Sequence, residues 1–266
     1  MHQSSPLRPD HLSDNKSSSS SSSALLCSAL LHPALLHNCF FPSPPLHHPP
    51  ASTTPLPIIP TMAAAIPPGG TFFDTVQKRF VDVPVDESKD NAIQTTDFLE
   101  AAEGLTTLFD LLGSAAFKPV KSDMTGNIKK IRDRQLAAPT LSETLQDLVL
   151  NELKEKKHTA TEGLVWLNRG LDFTAQALRH NITNVSHELA DSFREAYGKT
   201  LKPHHSFIVK PIFSAAMSAT PYRADFYKKL GEDDAKVQAE LETYLSALEK
   251  DVGILNEFLA RKEAKW

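Results

Sequence analysis

The sequence predicts an all-α fold from Met62 to the end of this 266-residue chain. From about residue 91 onward, apolar residues recur at the three- and four-residue spacing of amphipathic helices. Period-two alternation, which indicates half-buried strands, is scarce, and the chain contains no Asn-Gly or Asp-Gly hairpin signal. Helix start and stop signals separate the apolar stretches, and no internal repeat of solenoid length is present.

The first predicted helix covers Asn91–Leu112 and ends at Gly113-Ser114, a typical C-terminal signal. The second is predicted over 119–135, with Pro119 at its start, where the missing N–H has no helical partner to lose.

Two capping-box sequences predict the starts of the following helices. Thr140–Glu143 opens a helix that extends to about Lys157, and Thr159–Glu162 opens one that extends to about His180. Further helices are predicted over 184–200, 204–219, 222–230 and 232–260.

Residues 1–61 differ in composition and are predicted to form a disordered extension. They hold 11 of the 19 prolines, 6 of the 11 histidines, both cysteines and an unbroken serine run from Ser17 to Ser23. Such a segment cannot bury enough periodic apolar surface to offset the entropy lost on ordering. Because Met62 opens a stretch typical of a natural start, we interpret 1–61 as an upstream extension of the gene model. A poorly conforming targeting segment is the alternative.

The apolar patch within this extension, 24–41, matches no targeting class well. A polyserine tract stands where a secretory signal needs basic residues, and Arg8 is the single arginine, whereas mitochondrial presequences are Arg-rich. A membrane span would have to hold His32, Pro33 and Asn38 near its centre, which is costly.

Residues 62–266 have the length of one compact domain, and their composition excludes several functions. They contain no cysteine, so disulfides and thiolate metal sites are excluded there. The net charge of the chain is −4, whereas nucleic-acid-binding domains carry a basic excess. Because no HExxH, Walker, dinucleotide or Gly-x-Ser-x-Gly motif occurs, and no carboxylate pair suits general acid–base chemistry, we expect no enzyme activity, metal ion or cofactor.

A mixed polar face is predicted on the 119–135 helix. Asp123, Asn127 and Lys130 stand at i, i+4 and i+7, so they share one side of the helix. A carboxylate, an amide and an ammonium in a row suit a ligand with many hydroxyl groups. About forty residues later, Trp166 offers a flat apolar plate of the kind on which sugar rings lie.

The helix that carries Trp166 has two apolar stripes. Leu164, Leu167 and Leu171 belong to an ordinary core stripe, while Trp166, Gly170 and Phe173 belong to a second one. Such a helix is sandwiched between layers or lines an internal apolar space. The small Gly170 leaves room for a pocket or for a closely packed neighbouring helix.

Several blocks of residues 72–266, in order and at suitable spacing, resemble the glycolipid transfer protein family. The chain, down to its close at Lys265-Trp266, is similar to fungal heterokaryon-incompatibility members of that family. The blocks are Phe98–Phe117, Pro119–Lys130, Trp166–Phe173, His205–Phe213 and Ala219–Phe226.

The resemblance implies a two-layer helical sandwich that takes up lipid chains between its layers and holds the sugar near the surface. It implies that Trp166 stacks on the first sugar ring and that Asp123, Asn127 and Lys130 bind its hydroxyls, with Asp123 also reaching the sphingoid amide. His205 would bond the amide carbonyl; it is chosen over His204 because its spacing to Phe213 fits the family. The hydrocarbon lining is assigned to Leu108, Phe109, Leu112, Val120, Phe173 and Phe213.

The expected function is therefore transfer of glycosphingolipids between membranes. The expected ligand is a glucosyl-, galactosyl- or lactosylceramide, the expected location is the cytoplasm with peripheral contact at membranes, and no protein partner is identified. Trp266 is expected to enter a membrane interface, to cover the pocket or simply to pack.

Two alternatives remain open. The same fold carries ceramide 1-phosphate in another branch of the superfamily, and Lys121, Lys129, Arg132 and Arg169 would favour a phosphate. The chain could also be a glycolipid sensor that changes a partner contact. Phe72–Thr75 resembles the core of a short motif that binds endoplasmic-reticulum tethers, although a role in the helix core is favoured.

Overall fold

The computed structural model describes residues 65–266, and the all-α sandwich predicted from the sequence is confirmed. The expectations for 1–61, including 24–41, lie outside the described residues. The helices of the described part are α1 Thr95–Thr106, α2 Leu108–Leu111, α3 Ser114–Ala137, α4 Leu145–Lys154, α5 Thr159–Thr183, α6 Leu189–Lys199, α7 Val209–Ser218, α8 Arg223–Leu230 and α9 Asp234–Ala260. Within 65–266, no helix is long and apolar enough to cross a bilayer.

A short hairpin precedes α1, where the sequence predicted the start of a helix at Asn91. Strand β1, Val85–Asp86, pairs antiparallel with β2, Ala92–Ile93. Asp90 and Asn91 close the turn in the left-handed conformation, which Asp and Asn tolerate better than most residues. The predicted start at Asn91 is therefore wrong, and α1 begins at Thr95.

Helix α3 begins five residues earlier than predicted and contains Pro119 in its interior. Proline removes one backbone hydrogen bond there. The buried side chains of Phe117, Val120, Met124 and Ile128 continue through it at helical spacing, and their burial offsets that loss. The helix is thus held by its packing, which the local sequence signal did not reveal.

Neither predicted capping box forms a cap. Residues 139–141 make a single 3₁₀ turn, and α4 starts at Leu145, capped by the Thr144 side chain, which accepts from the Asp147 amide. The first turn of α5 is capped by the preceding helix. The buried Glu152 carboxylate accepts from the Ala160 and Thr161 amides at 2.9 and 2.7 Å and from the Thr161 hydroxyl at 2.7 Å.

Helix α5 is the central element, and it packs against α3, α6 and α9. This position explains its two apolar faces. A Cβ at Gly170 would lie 3.4 Å from the Met124 side chain of α3. Of the two expected uses of this glycine, close packing of a neighbouring helix is the one observed.

Both ends of the described region pack onto the helices. The rings of Phe72 and Phe73 are buried, so the tether-motif resemblance at these residues has no exposed aromatic side chain to offer. At the C-terminus, the Trp266 indole stacks on the His158 ring just before α5, with centroids 5.4 Å apart. Trp266 therefore packs, while about half of it stays exposed.

The Glu152 cap generates a stability prediction. We expect Glu152→Ala to lower the free energy of unfolding by about 3 kcal/mol, because two buried amides and a hydroxyl lose a charged acceptor. The measurement is urea denaturation followed by circular dichroism. Glu143→Ala is the control: Glu143 is the exposed acid of the unused capping box, and its replacement should change stability by less than about 0.5 kcal/mol. Equal effects of the two substitutions would contradict the assigned cap.

Candidate functional site

Asp123, Asn127 and Lys130 form one hydrogen-bonded row on α3. The Asn127 side-chain amide donates to Asp123 Oδ2 at 3.3 Å, and Lys130 Nζ donates to Asn127 Oδ1 at 3.2 Å. Asn127 is buried between two partly exposed ionic groups, so both ends of its amide are oriented. The row still offers a free carboxylate oxygen and unused N–H donors to a ligand.

Glycines on α5 bring this row close to Trp166. A Cβ at Gly163 would lie 3.2 Å from both the Asn127 carbonyl oxygen and Lys130 Cβ, whereas Gly170 faces Met124. Helices α3 and α5 therefore run antiparallel, and the row lies alongside the turns of α5 on either side of Trp166.

Side chains from two elements contact the Trp166 ring. The His205 ring stacks on it at a centroid distance of 5.9 Å and an interplanar angle of 20°, and the Arg169 guanidinium lies 4.9 Å from the indole centroid. His205 comes from the loop between α6 and α7, whereas the neighbouring His204 is exposed. Of the two adjacent histidines, His205 is the one whose ring contacts Trp166.

Burial keeps His205 neutral. Desolvation, together with the positive charges of His204, Lys210 and Arg169, lowers the pKa of His205 to about 4. Its Nδ1 lies 3.2 Å from the Tyr197 hydroxyl, whose own pKa is raised by burial. When the protonated phenol donates to Nδ1, the ring proton resides on Nε2, which is then a hydrogen-bond donor.

Burial shifts the pKa of Asp123 in the opposite direction from that of His205. Desolvation raises the pKa of Asp123 to about 6, and the nearby Lys130 ammonium opposes part of that rise. At neutral pH the group is mainly a carboxylate and accepts hydrogen bonds. Below about pH 6 it becomes protonated and loses part of that capacity.

A continuous series of aromatic contacts leads from this surface to the interior. The His205 ring lies 4.5 Å from that of Phe213, which in turn neighbours Tyr197 at 5.3 Å and Phe173 at 6.1 Å. The series goes on through Phe193 and Phe117 to Phe109, with successive centroids 5.5 to 5.9 Å apart. All six residues predicted as hydrocarbon lining are buried in this core: Leu108, Phe109, Leu112, Val120, Phe173 and Phe213.

The family model described as glycolipid transfer protein matches residues 93–232, more than half of the chain. The chain belongs to the glycolipid transfer protein family. This membership confirms the resemblance found in the sequence.

Relatives of this family member include proteins of similar length and longer ones. A glycolipid transfer protein of Aureobasidium melanogenum is 73% identical over 203 residues, which cover 76% of this chain and all of that protein. The zebrafish pleckstrin homology domain-containing family A member 8 is 36% identical over 199 residues, which cover 70% of this chain and 36% of that protein.

Solved structures show the same family fold. HET-C2, a fungal glycolipid transfer protein, matches with a TM-score of 0.72 and 66% identity over 74% of this chain and all of HET-C2. FAPP2, which selects simple glycosphingolipids, matches with a TM-score of 0.65 and 34% identity, over 71% of this chain and 94% of the FAPP2 chain.

Three residues of the site in this family member were missed or given no role from the sequence. Tyr197, which contacts His205, carries no local signal, because eight residues and a loop separate them. Gly163 was not recognised as a contact for α3, although a glycine one turn before Trp166 was a usable clue. Arg169 was noted only as a nearby cation, yet its i+3 spacing from Trp166 predicts their contact.

The environment of Asp123 generates a titration prediction. We expect its carboxyl carbon to titrate near pH 6 in the ligand-free protein, as measured by carbon-13 NMR. Lys130→Met should raise the pKa further, because it removes the opposing positive charge. Lys129→Met is the matched control, since the Lys129 ammonium is exposed and pairs with Asp133, and it should leave the Asp123 midpoint unchanged. A midpoint near 4 would contradict the desolvated setting.

Proposed function

We propose that this protein carries glycosphingolipids between membranes without covalent chemistry. The observation that carries the proposal is the row Asp123–Asn127–Lys130 on α3, which packs against the α5 segment that bears Trp166, at the outer end of a buried aromatic core. The Aureobasidium relative, a glycolipid transfer protein that this chain covers completely, supports the same function.

The polar row suits the hydroxyl groups at the edge of a sugar ring, and the indole suits its apolar face. Sugar hydroxyls both donate and accept, so they pair with the Asp123 carboxylate and with the Asn127 and Lys130 donors. The apolar face of the sugar ring lies on the Trp166 indole, and the Arg169 guanidinium, 4.9 Å from the indole centroid, moves aside to admit it. In this proposal His205, neutral and donating through Nε2, bonds the amide carbonyl of the ceramide.

The apolar interior supplies the larger free energy. Moving a ceramide with about thirty methylenes into water costs on the order of 20 kcal/mol, at about 0.8 kcal/mol each. Hydrogen bonds to charged groups contribute only about 1.5–3 kcal/mol apiece, so they select the lipid but cannot extract it. The aromatic contacts from Phe213 to Phe109 have to separate to admit a chain, and the lipid's own burial then offsets the lost contacts.

Exposed apolar side chains beside His205 suit contact with a membrane. Phe207 is 82% exposed, and Ile208 and Ile212, one helical turn apart, are 57% and 38% exposed. The neighbouring Lys210 would face anionic headgroups. Because this apolar surface adjoins the site, docking would hold the site at the bilayer, where the lipid enters.

The cargo assignment predicts the result of a transfer assay. Between vesicles, the protein should accelerate transfer of a labelled glucosylceramide, and Trp166→Ala or Asp123→Val should slow transfer at least tenfold. Trp266→Ala and Asp133→Val are the matched controls and should transfer at near the unaltered rate, because Trp266 stacks on His158 and Asp133 is exposed.

Ceramide 1-phosphate, tested in parallel, separates the two cargo classes. The proposal requires faster transfer of the glycolipid. Faster transfer of the phosphate, or full activity in both site variants with unchanged helical circular dichroism, would refute the assignment.

The exposed surface beside His205 generates a separate prediction. Phe207→Ser should weaken sedimentation with vesicles about tenfold, because burial of one Phe contributes about 2 kcal/mol and insertion is partial. Binding of a water-soluble short-chain glycolipid should not change. Val185→Ser, at a position that is 70% exposed after the end of α5, is the control and should leave sedimentation intact. Equal losses in both variants would argue against a localised docking surface.

A further inference from the structure

Helix α9 buries an acid within its apolar face. The buried stripe Tyr244, Leu248, Asp251, Leu255 and Phe258 follows helical spacing, and Asp251 is only 2% exposed. Its Oδ2 atom is shielded from water and has no hydrogen-bond partner within residues 65–266. A buried carboxylate left unpaired in this way costs free energy, so its retention calls for a partner.

A groove of about 730 Å³ opens at this acid, and none of the predicted head-group residues lines it. One wall is apolar and consists of Phe80, Val81, Val83 and Val85, from the segment before α1. The other wall is the face of α9 that includes Asp251. Besides Asp251, the α9 wall carries Glu242, Thr243, Ser246 and Lys250. A cleft of this volume is typical of small-molecule sites.

A second unpaired polar group lies two helical turns away. The Tyr244 hydroxyl is also shielded from water and lacks a partner in the described part of the chain. It lines an adjoining cavity of about 80 Å³, which shares Val81 and Thr243 with the groove. Positions 244 and 251 are separated by about 10 Å along the helix axis. The Asp251 carboxylate and the Tyr244 hydroxyl, both buried, therefore lie at two adjoining cavities that share Val81 and Thr243.

The charges around the groove leave Asp251 without a fixed cation. Arg79 pairs with Asp82 at 3.3 Å, and Glu242 lies 3.8 Å from Arg179. Lys250 lowers the pKa of Asp251 through its charge, but it is exposed, and adjacent residues of a helix point about 100° apart. Among residues 65–266, the acid therefore has no cation that is held in place against it.

We propose that this groove is a second ligand site, which takes a primary amine on an extended apolar body. The ammonium pairs with the Asp251 carboxylate, and the apolar part lies along Phe80, Val81 and Val83. The site is independent of the proposed glycolipid carriage, because it uses α9 and the segment before α1.

Burial raises the pKa of Asp251 to about 7, so this carboxyl titrates near neutral pH. An ammonium against this acid favours the carboxylate form, and the charge-assisted hydrogen bond distinguishes an amine from a neutral or acidic molecule of the same shape.

The test uses the full chain and octylamine as the probe at pH 7.5, with octanol and octanoate as neutral and anionic analogues. Titration followed by NMR of the backbone amides should show saturable shifts at Val81, Val83 and Asp251. Octanol and octanoate should bind at least tenfold more weakly. Equal binding of octanol, or octylamine shifts confined to residues around Trp166, would overturn the proposal.

Two variants test the role of the groove itself. Asp251→Asn, which keeps the side-chain shape, should weaken octylamine binding at least tenfold, and Thr243→Trp should block the groove. Glu257→Gln removes an exposed acid from the same helix and should leave binding unchanged. Unaltered binding in both groove variants, with native circular dichroism spectra, would refute the site.

Discussion

The contact between α3 and α5 determines the geometry of the proposed head-group site. At Gly163, the backbone of α5 comes so close to α3 that a Cβ would press on Asn127 and Lys130. A turn after Trp166, a Cβ at Gly170 would lie 3.4 Å from the flexible Met124 side chain, at ordinary contact distance. A side chain at Gly163 would push α5 away from α3 and move the polar row away from the α5 segment that carries Trp166. Placement of the ligand groups therefore rests on a residue that has no side chain of its own.

Partial burial then sets the chemical state of each group in the site. The same loss of water raises the pKa of Asp123 and lowers that of His205, because it disfavours the charged form of both. The opposing charge of Lys130 limits the shift of Asp123, which stays an acceptor at neutral pH. His205 stays neutral, and it is a donor through Nε2 when the Tyr197 hydroxyl donates to its Nδ1. A carboxylate and a neutral imidazole thus coexist within one small region.

The polar surface and the aromatic interior are joined through His205 and Phe213. A head group bound at the surface would therefore lie directly above the rings that its chains have to displace. In the proposed function, the interior contributes most of the free energy of extraction, and the polar row decides which lipid is extracted. The α9 groove differs in kind, because its acid lies in a core stripe and its Oδ2 atom meets no hydrogen-bond partner among residues 65–266.

Periodicity alone determined the helical class of residues 65–266 and the approximate limits of α8 and α9, since these depend on the local spacing of apolar side chains. The i, i+4, i+7 spacing likewise placed Asp123, Asn127 and Lys130 on one face, and the family resemblance supplied their expected roles. Contacts between distant segments could not be read in this way. The Glu152 cap on α5, the passage of α3 through Pro119 and the meeting of Tyr197 with His205 all depend on how helices pack. Local sequence signals act over a few residues only. Tertiary packing decides which of these signals are used, because the burial of a whole helix face contributes more free energy than one cap or one missing hydrogen bond.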